Sequence, residues 1–239
     1  MSYRIKLGLI VPLLCLPMFA FSDGEPKRSP SDAKRDLNSK PFAVLDFIGV
    51  KQGWQVIDMF AGNGYYSEVL SHAVGDQGKV YLHNNQAYLG FANKLNDRVK
   101  NDRLPNAEIY VREIEDINLS SNSLDMAILV KTYHDVYFEQ SGWTVTADPL
   151  FKTLRRILKP NGVLVVIDHH GQAGSGKSAV QNLHRIDAEF AKQDIKNRGF
   201  EFIESSKLLV NPTDNLTLSV FDSAVKGKTS RFVFKFRKR

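Results

Sequence analysis

Val56-Ile57-Asp58-Met59-Phe60-Ala61-Gly62-Asn63-Gly64-Tyr65 is the stretch that decides the fold. An apolar run with one carboxylate leads into two glycines, after which Val69, Leu70 and Ala73 recur at helical spacing. A strand that turns sharply into a helix opens a parallel sheet. In such sheets ligands sit at the carboxyl ends of the strands, where the chain order reverses. Gly62 and Gly64 have no Cβ to hold a ligand off the backbone, and the following helix start offers unpaired N–H groups to a carboxylate.

Working outward, strands are expected at Gln55–Met59, Lys79–Leu82, Glu108–Val111, Leu124–Val130 and Gly162–Asp168. Helices are expected near Tyr66–Val74, Tyr88–Lys100, Ala147–Leu158 and Ala179–Arg198, with an earlier one opened by Pro41 and closed by Gly49. Lys159-Pro160-Asn161-Gly162 reads as a sharp turn into the almost unbroken apolar strand Val163–Ile167, which places that strand at the sheet centre. The last strands, Phe200–Leu208 and Arg231–Phe236, are joined by a polar loop without a clear crossover helix and should pair antiparallel. The fold class is therefore α/β: a Rossmann-like, doubly wound sheet of seven strands, mostly parallel, with an antiparallel final strand.

The 239 residues, 43% hydrophobic and 24% charged, suffice for one domain. Arg4 and Lys6 precede an apolar run, Leu7–Phe21, that ends at small residues Ala20 and Ser22, so residues 1–22 read as a secretory signal peptide. An uncleaved membrane anchor is the alternative. Residues 23–40 are polar and without apolar period and read as a flexible leader, which leaves 41–239 as the domain. Cys15, the only cysteine, lies inside the signal, so the mature chain carries no disulfide. Without Arg4 and Lys6 the formal charge falls from +6 to +4, an excess too mild to indicate nucleic acid, and the basic end interleaves with Phe232, Phe234 and Phe236 as a strand would.

On these residues the chain resembles the class I S-adenosylmethionine-dependent methyltransferases, whose first motif is an acidic residue followed by a Gly-x-Gly loop. Asp116–Val130 is similar to the family's fourth-strand region and Leu158-Lys159-Pro160-Asn161-Gly162 to its turn into the fifth strand. Tyr133-His134-Asp135, Asp168-His169, His184-Arg185-Ile186-Asp187 and the stretch from Phe221-Asp222 to Arg231-Phe232 resemble a bacterial subgroup described as predicted methyltransferases. The resemblance implies S-adenosylmethionine as cofactor. Asp58, Ala61, Gly62, Asn63, Gly64 and Tyr65 would hold its methionine end, and Glu113 and Ile114 would flank the adenine. Where the family has a carboxylate for the ribose hydroxyls, this chain has Asn84, a neutral and weaker partner.

Methyl transfer asks the protein to position an acceptor and to remove its proton. The candidates are His134, Asp135, His169 and His184 for proton handling, and Tyr133, Asp168 and Arg185 for the acceptor, which is taken to be a small molecule. No His-Glu-x-x-His spacing is present, and His169 and His170 would point apart on a strand, so no metal is expected.

Two rival motifs are weaker. Gly171–Ser178 fits the phosphate-loop pattern, but the sheet is nearly complete by then and no second strand ending in Asp follows. A dinucleotide fingerprint lacks its third glycine, since Ser67 stands there. A cofactor-fold binding protein without catalysis is the remaining alternative. Oligomeric state is not legible.

Overall fold

The computed structural model describes residues 28–140 and 142–239, and the expected signal peptide lies outside the described residues. Strands β1 (Gln55–Met59), β2 (Lys79–Asn84), β3 (Ala107–Val111), β4 (Leu124–Val130), β5 (Leu158–His169), β6 (Phe200–Ser206) and β7 (Arg231–Lys238) form one sheet in the order β3-β2-β1-β4-β5-β7-β6. β7 runs antiparallel to both its neighbours, and the other pairs are parallel. The expected fold class holds.

Residue alternation assigns the two faces. Val56, Met126, Ile128, Val165 and Ile167 enter one core cluster, and Ile57, Met59, Ala127, Leu129, Leu164 and Val166 the other. Asp58 therefore faces the side that holds Val56. That side is covered by α2 (Pro41–Ile48) and α3 (Tyr65–Val74), and α1 (Pro30–Ser39) packs on Tyr65 of α3. On the far side lies α6 (Ala147–Ile157), held by buried Leu150, Phe151, Leu154 and Ile157 at helical spacing.

Four details depart from the sequence expectation. Residues 30–39, read as part of a flexible leader, form α1: Ser29 Oγ caps it, accepting from Asp32 N–H at 3.2 Å, and Pro30 opens it. It docks by charge and not by an apolar stripe. Arg28 Nη1 meets buried Glu68 Oε1 at 2.8 Å, and Arg98 Nη1 meets Asp32 Oδ2 at 2.6 Å. The expected Tyr88–Lys100 helix is divided into α4 (Gln86–Leu89) and α5 (Leu95–Val99), with Gly90 ending the first. The expected 179–198 helix is likewise two, α7 (Val180–Leu183) and α8 (Ala188–Asn197). Between them His184 takes φ 52° and Ile186 bridges to His170, so the chain becomes extended where a helix would have carried on. Finally β5 starts at Leu158, with Lys159–Gly162 looped out of register where the turn was expected.

Among the described residues no helix is long and apolar enough to cross a membrane.

Candidate functional site

The order β2-β1-β4 makes the carboxyl end of β1 the point where the sheet reverses direction. There Phe60 turns the chain at φ 55°, Ala61 N–H donates to His83 O at 2.8 Å, and Gly64 starts α3. Gly64 needs to be glycine, since its φ is 71° and an added Cβ would lie 2.9 Å from Leu82. Gly62, at φ 56°, is different: a Cβ there would meet nothing, so its backbone borders open space.

Around this opening several polar groups are fixed. Asp58 is buried and accepts from Ser67 Oγ at 2.6 Å. Burial lifts its carboxyl to about 7, with Ser67 and Arg35 opposing. Asn84, wholly buried, accepts from Gly62 N–H at 2.9 Å and donates to Gly62 O at 3.1 Å, so both ends of its amide face the loop. On neighbouring strand ends, Asn85 Nδ2 and Thr132 Oγ1 are buried with no protein partner. An open glycine, two orphaned polar atoms and a buried carboxylate fit a zwitterionic, nucleoside-bearing ligand on its amino-acid side.

Asn63 Oδ1 accepts from Lys94 N–H at 2.7 Å. Tyr65 lies under Arg35, 3.7 Å from guanidinium to ring centre, and its hydroxyl donates to Asp36, so it docks α1. Glu113 Oε1 accepts from Gln86 N–H at 3.0 Å, and Ile114 is buried in the core.

The second group gathers after β4 and β5. His134 Nδ1 lies 2.8 Å from Asp168 Oδ1, a carboxylate that only accepts, so Nδ1 carries the proton. Asp168 also takes the backbone N–H of His134 and of His169, each at 2.7 Å. This leaves His134 Nε2 turned toward Asp135 Oδ1 at 3.2 Å and His184 Nδ1 at 3.3 Å. Burial lowers the His134 imidazole, but Asp168 and Asp135 outweigh it and raise it to about 9. The Tyr88 hydroxyl donates to the other Asp135 oxygen.

His169 faces Thr229, 2.8 Å from Nδ1 to Oγ1, and burial with Lys131 nearby pushes it well below its ordinary value. Tyr133 is buried and donates to Asp194 at 2.7 Å, tying down α8. Arg185, expected to meet an anionic acceptor, is 0% exposed. Its guanidinium grips Asp214 through two 3.0 Å bonds and also donates to the Leu218 and His170 carbonyls. Both therefore hold the fold together.

An aromatic wall links the two groups, with ring centres 4.9 Å apart for Phe60 and Tyr88 and 5.3 Å for Tyr88 and Trp143. Trp143 Nε1 donates to Asp135 O at 2.7 Å. Beside it opens a cleft of about 590 Å³ whose lining includes Phe138, Trp143 and Lys177. Lys177 belongs to the phosphate-loop pattern, but its ammonium lies over the Tyr137 ring, 5.1 Å from the centre, and the helix that follows has four residues. Tyr88, Asn85, Thr132 and Trp143 also border this region, and nothing in their spacing marks them in the sequence.

Three comparisons bear on this geometry. A family described as a methyltransferase domain matches residues 50–217. The ubiquinone/menaquinone biosynthesis C-methyltransferase UbiE of Haemophilus ducreyi is 27% identical over 127 residues, 52% of this chain and 45% of that protein, so the match spans less than half of that relative. Among solved structures, a SAM-dependent methyltransferase from Aquifex aeolicus superposes with TM-score 0.63 at 23% identity, covering 89% of this chain and 100% of that one. Geranyl diphosphate C-methyltransferase from Streptomyces coelicolor, crystallised with S-adenosyl-L-homocysteine, does so with TM-score 0.57 at 15% identity, covering 90% and 88%.

Proposed function

This chain belongs to the S-adenosylmethionine-dependent methyltransferase-domain family, and from that premise we propose that it methylates a small acceptor taken up in the cleft beside Trp143 and Lys177, next to the His134–Asp135–His184 group. The observation that carries the reading is the opening at Gly62, bordered by the unpartnered Asn85 and Thr132 side chains and lying one strand away from the histidines.

Asp58, Ala61, Gly62, Asn63, Asn85 and Thr132 would hold the donor, which supplies a methyl carbon on a positively charged sulfur. The rest falls to the chain. The aromatic wall keeps water from the reacting atoms, and Asp135 Oδ1 and His184 stand ready to accept a proton from the acceptor. The cleft lies within the usual volume of small-molecule sites, and Lys177 at its rim suits an acceptor with an anionic or hydroxyl group.

The bacterial subgroup with a signal peptide remains part of this reading, as does an exported location, which rests on Arg4, Lys6 and the Leu7–Phe21 run. Mass spectrometry of the chain recovered from a secreting bacterial host should find Asp23 as the first residue. A chain that keeps its first residues would point to an anchor.

A second reading, a binding protein without turnover, draws on Asn84, a neutral side chain whose amide already bonds Gly62 at both ends. Turnover separates the two. With a panel of hydroxylated aromatic and quinol-like small molecules, formation of S-adenosylhomocysteine is expected for at least one compound. Asp135→Asn should lower kcat by roughly 100-fold or more, the ordinary worth of a positioned proton acceptor, while donor affinity stays the same. Donor binding with no product from any compound would favour the binding protein.

A further inference from the structure

We propose that His134 Nε2, Asp135 Oδ1 and His184 Nδ1 form a binding site for one divalent transition-metal ion of the zinc or iron class. The three atoms come from two loops and lie within 4.8 Å of one another. Ligands about 2.1 Å from one ion in tetrahedral arrangement lie about 3.4 Å apart. The separations here are 3.2, 3.3 and 3.8 Å, the last beyond hydrogen-bonding reach.

The surroundings orient each ligand. His134 gives its other nitrogen to buried Asp168, the carboxylate–histidine arrangement that fixes the tautomer of a metal-bound imidazole. Asp135 has Oδ2 taken by the Tyr88 hydroxyl, so Oδ1 alone faces the histidines. His184 is held in its left-handed backbone position with its ring between Phe138 and Phe221, at 4.6 and 4.9 Å between centres. Two imidazoles and one carboxylate favour a first-row transition ion over magnesium or calcium and leave coordination positions open. With an acceptor oxygen in such a position, Asp135 and His184 act through the ion instead of taking the proton themselves. That role rests on the proposed methyl transfer, but the site itself does not.

The test uses the full, untagged chain, stripped with a chelator and titrated with Co²⁺ and then with Zn²⁺ in competition. One equivalent per chain is expected, with visible cobalt bands that zinc abolishes. His184→Asn, which tolerates the left-handed backbone, and Asp135→Asn should each weaken binding by more than 100-fold. Asp168→Asn should weaken it roughly 10- to 100-fold, and His72→Asn, an exposed histidine elsewhere, should change nothing. Should the variants not fold, X-ray absorption of the zinc-loaded wild type decides, with two imidazoles and an oxygen ligand expected. No stoichiometric binding by the folded wild type, equal binding by His184→Asn, or a different ligand set would overturn the site. Calorimetric donor binding by the metal-free chain is independent of all these outcomes, so failure here leaves the methyltransferase reading standing, and the reverse also holds.

Discussion

Replacing Arg185 with methionine is expected to destabilise the protein by about 3–5 kcal/mol, the ordinary cost of removing one partner from a buried ion pair. Arg185 and Asp214 are both free of solvent at the side chain, and the guanidinium makes four hydrogen bonds to three residues, Asp214, Leu218 and His170. The methionine fills much of the volume but satisfies none of them. Asp214 is then left with the N–H groups of Ser230 and Leu216. Because Arg185 anchors the segment that carries Leu218, the loss should show as a lower midpoint in urea together with earlier proteolysis between residues 207 and 230. The double variant Arg185→Met/Asp214→Leu should recover part of the loss, since no charge is then left unpaired. Equal midpoints for wild type and Arg185→Met would show that the buried pair is not a strut of the fold.

Asp58→Asn is expected to change how stability depends on pH. Burial raises the folded carboxyl to about 7 from an ordinary 3.8. A carboxyl raised on folding is worth most below the unfolded value and loses its contribution as pH climbs through the folded one. Ionising Asp58 in the folded chain therefore costs on the order of 4 kcal/mol by pH 8, at about 1.4 kcal/mol per pKa unit. Asparagine keeps an oxygen for the Ser67 hydroxyl and never ionises. Unfolding measured at pH 5 and pH 8 should show the variant gaining on the wild type as pH rises, whereas a constant difference between the two would mean that Asp58 is already ionised at pH 5. A ligand with positive charge beside Asp58 draws the proton off, so donor affinity should rise across the same interval.

The β1 strand and the loop after it could be read because their signals are local. Apolar alternation, two glycines and a helical stripe all fall within Val56–Val74, and each was realised in place. The β4 strand was likewise fixed by its own apolar run. What escaped was set by groups distant in sequence. The α1 helix has no apolar period and is held through Asp32 by Arg98 and through Asp36 by Arg28, so its composition alone read as solvated. The break at His184 follows from the pairing of Ile186 with His170, which no local propensity encodes. His134 and His184 stand fifty residues apart, and their convergence on Asp135 depends on that break. The same limit applies to Asn84. Its residue type promised a neutral partner for a ribose, but its engagement with Gly62 is a matter of how β2 is set beside β1.

The central claim is that the Gly62 opening receives the methyl donor, and calorimetry of residues 23–239 with S-adenosylmethionine and S-adenosylhomocysteine tests it most directly, with ATP and NAD as controls. One-to-one binding of both methyl compounds is expected, lost in a Gly62→Arg variant that unfolds at the wild-type midpoint, since an added Cβ there meets nothing within 4 Å although the φ of 56° strains any side chain. Binding that survives Gly62→Arg, or binding of ATP alone, would contradict the account.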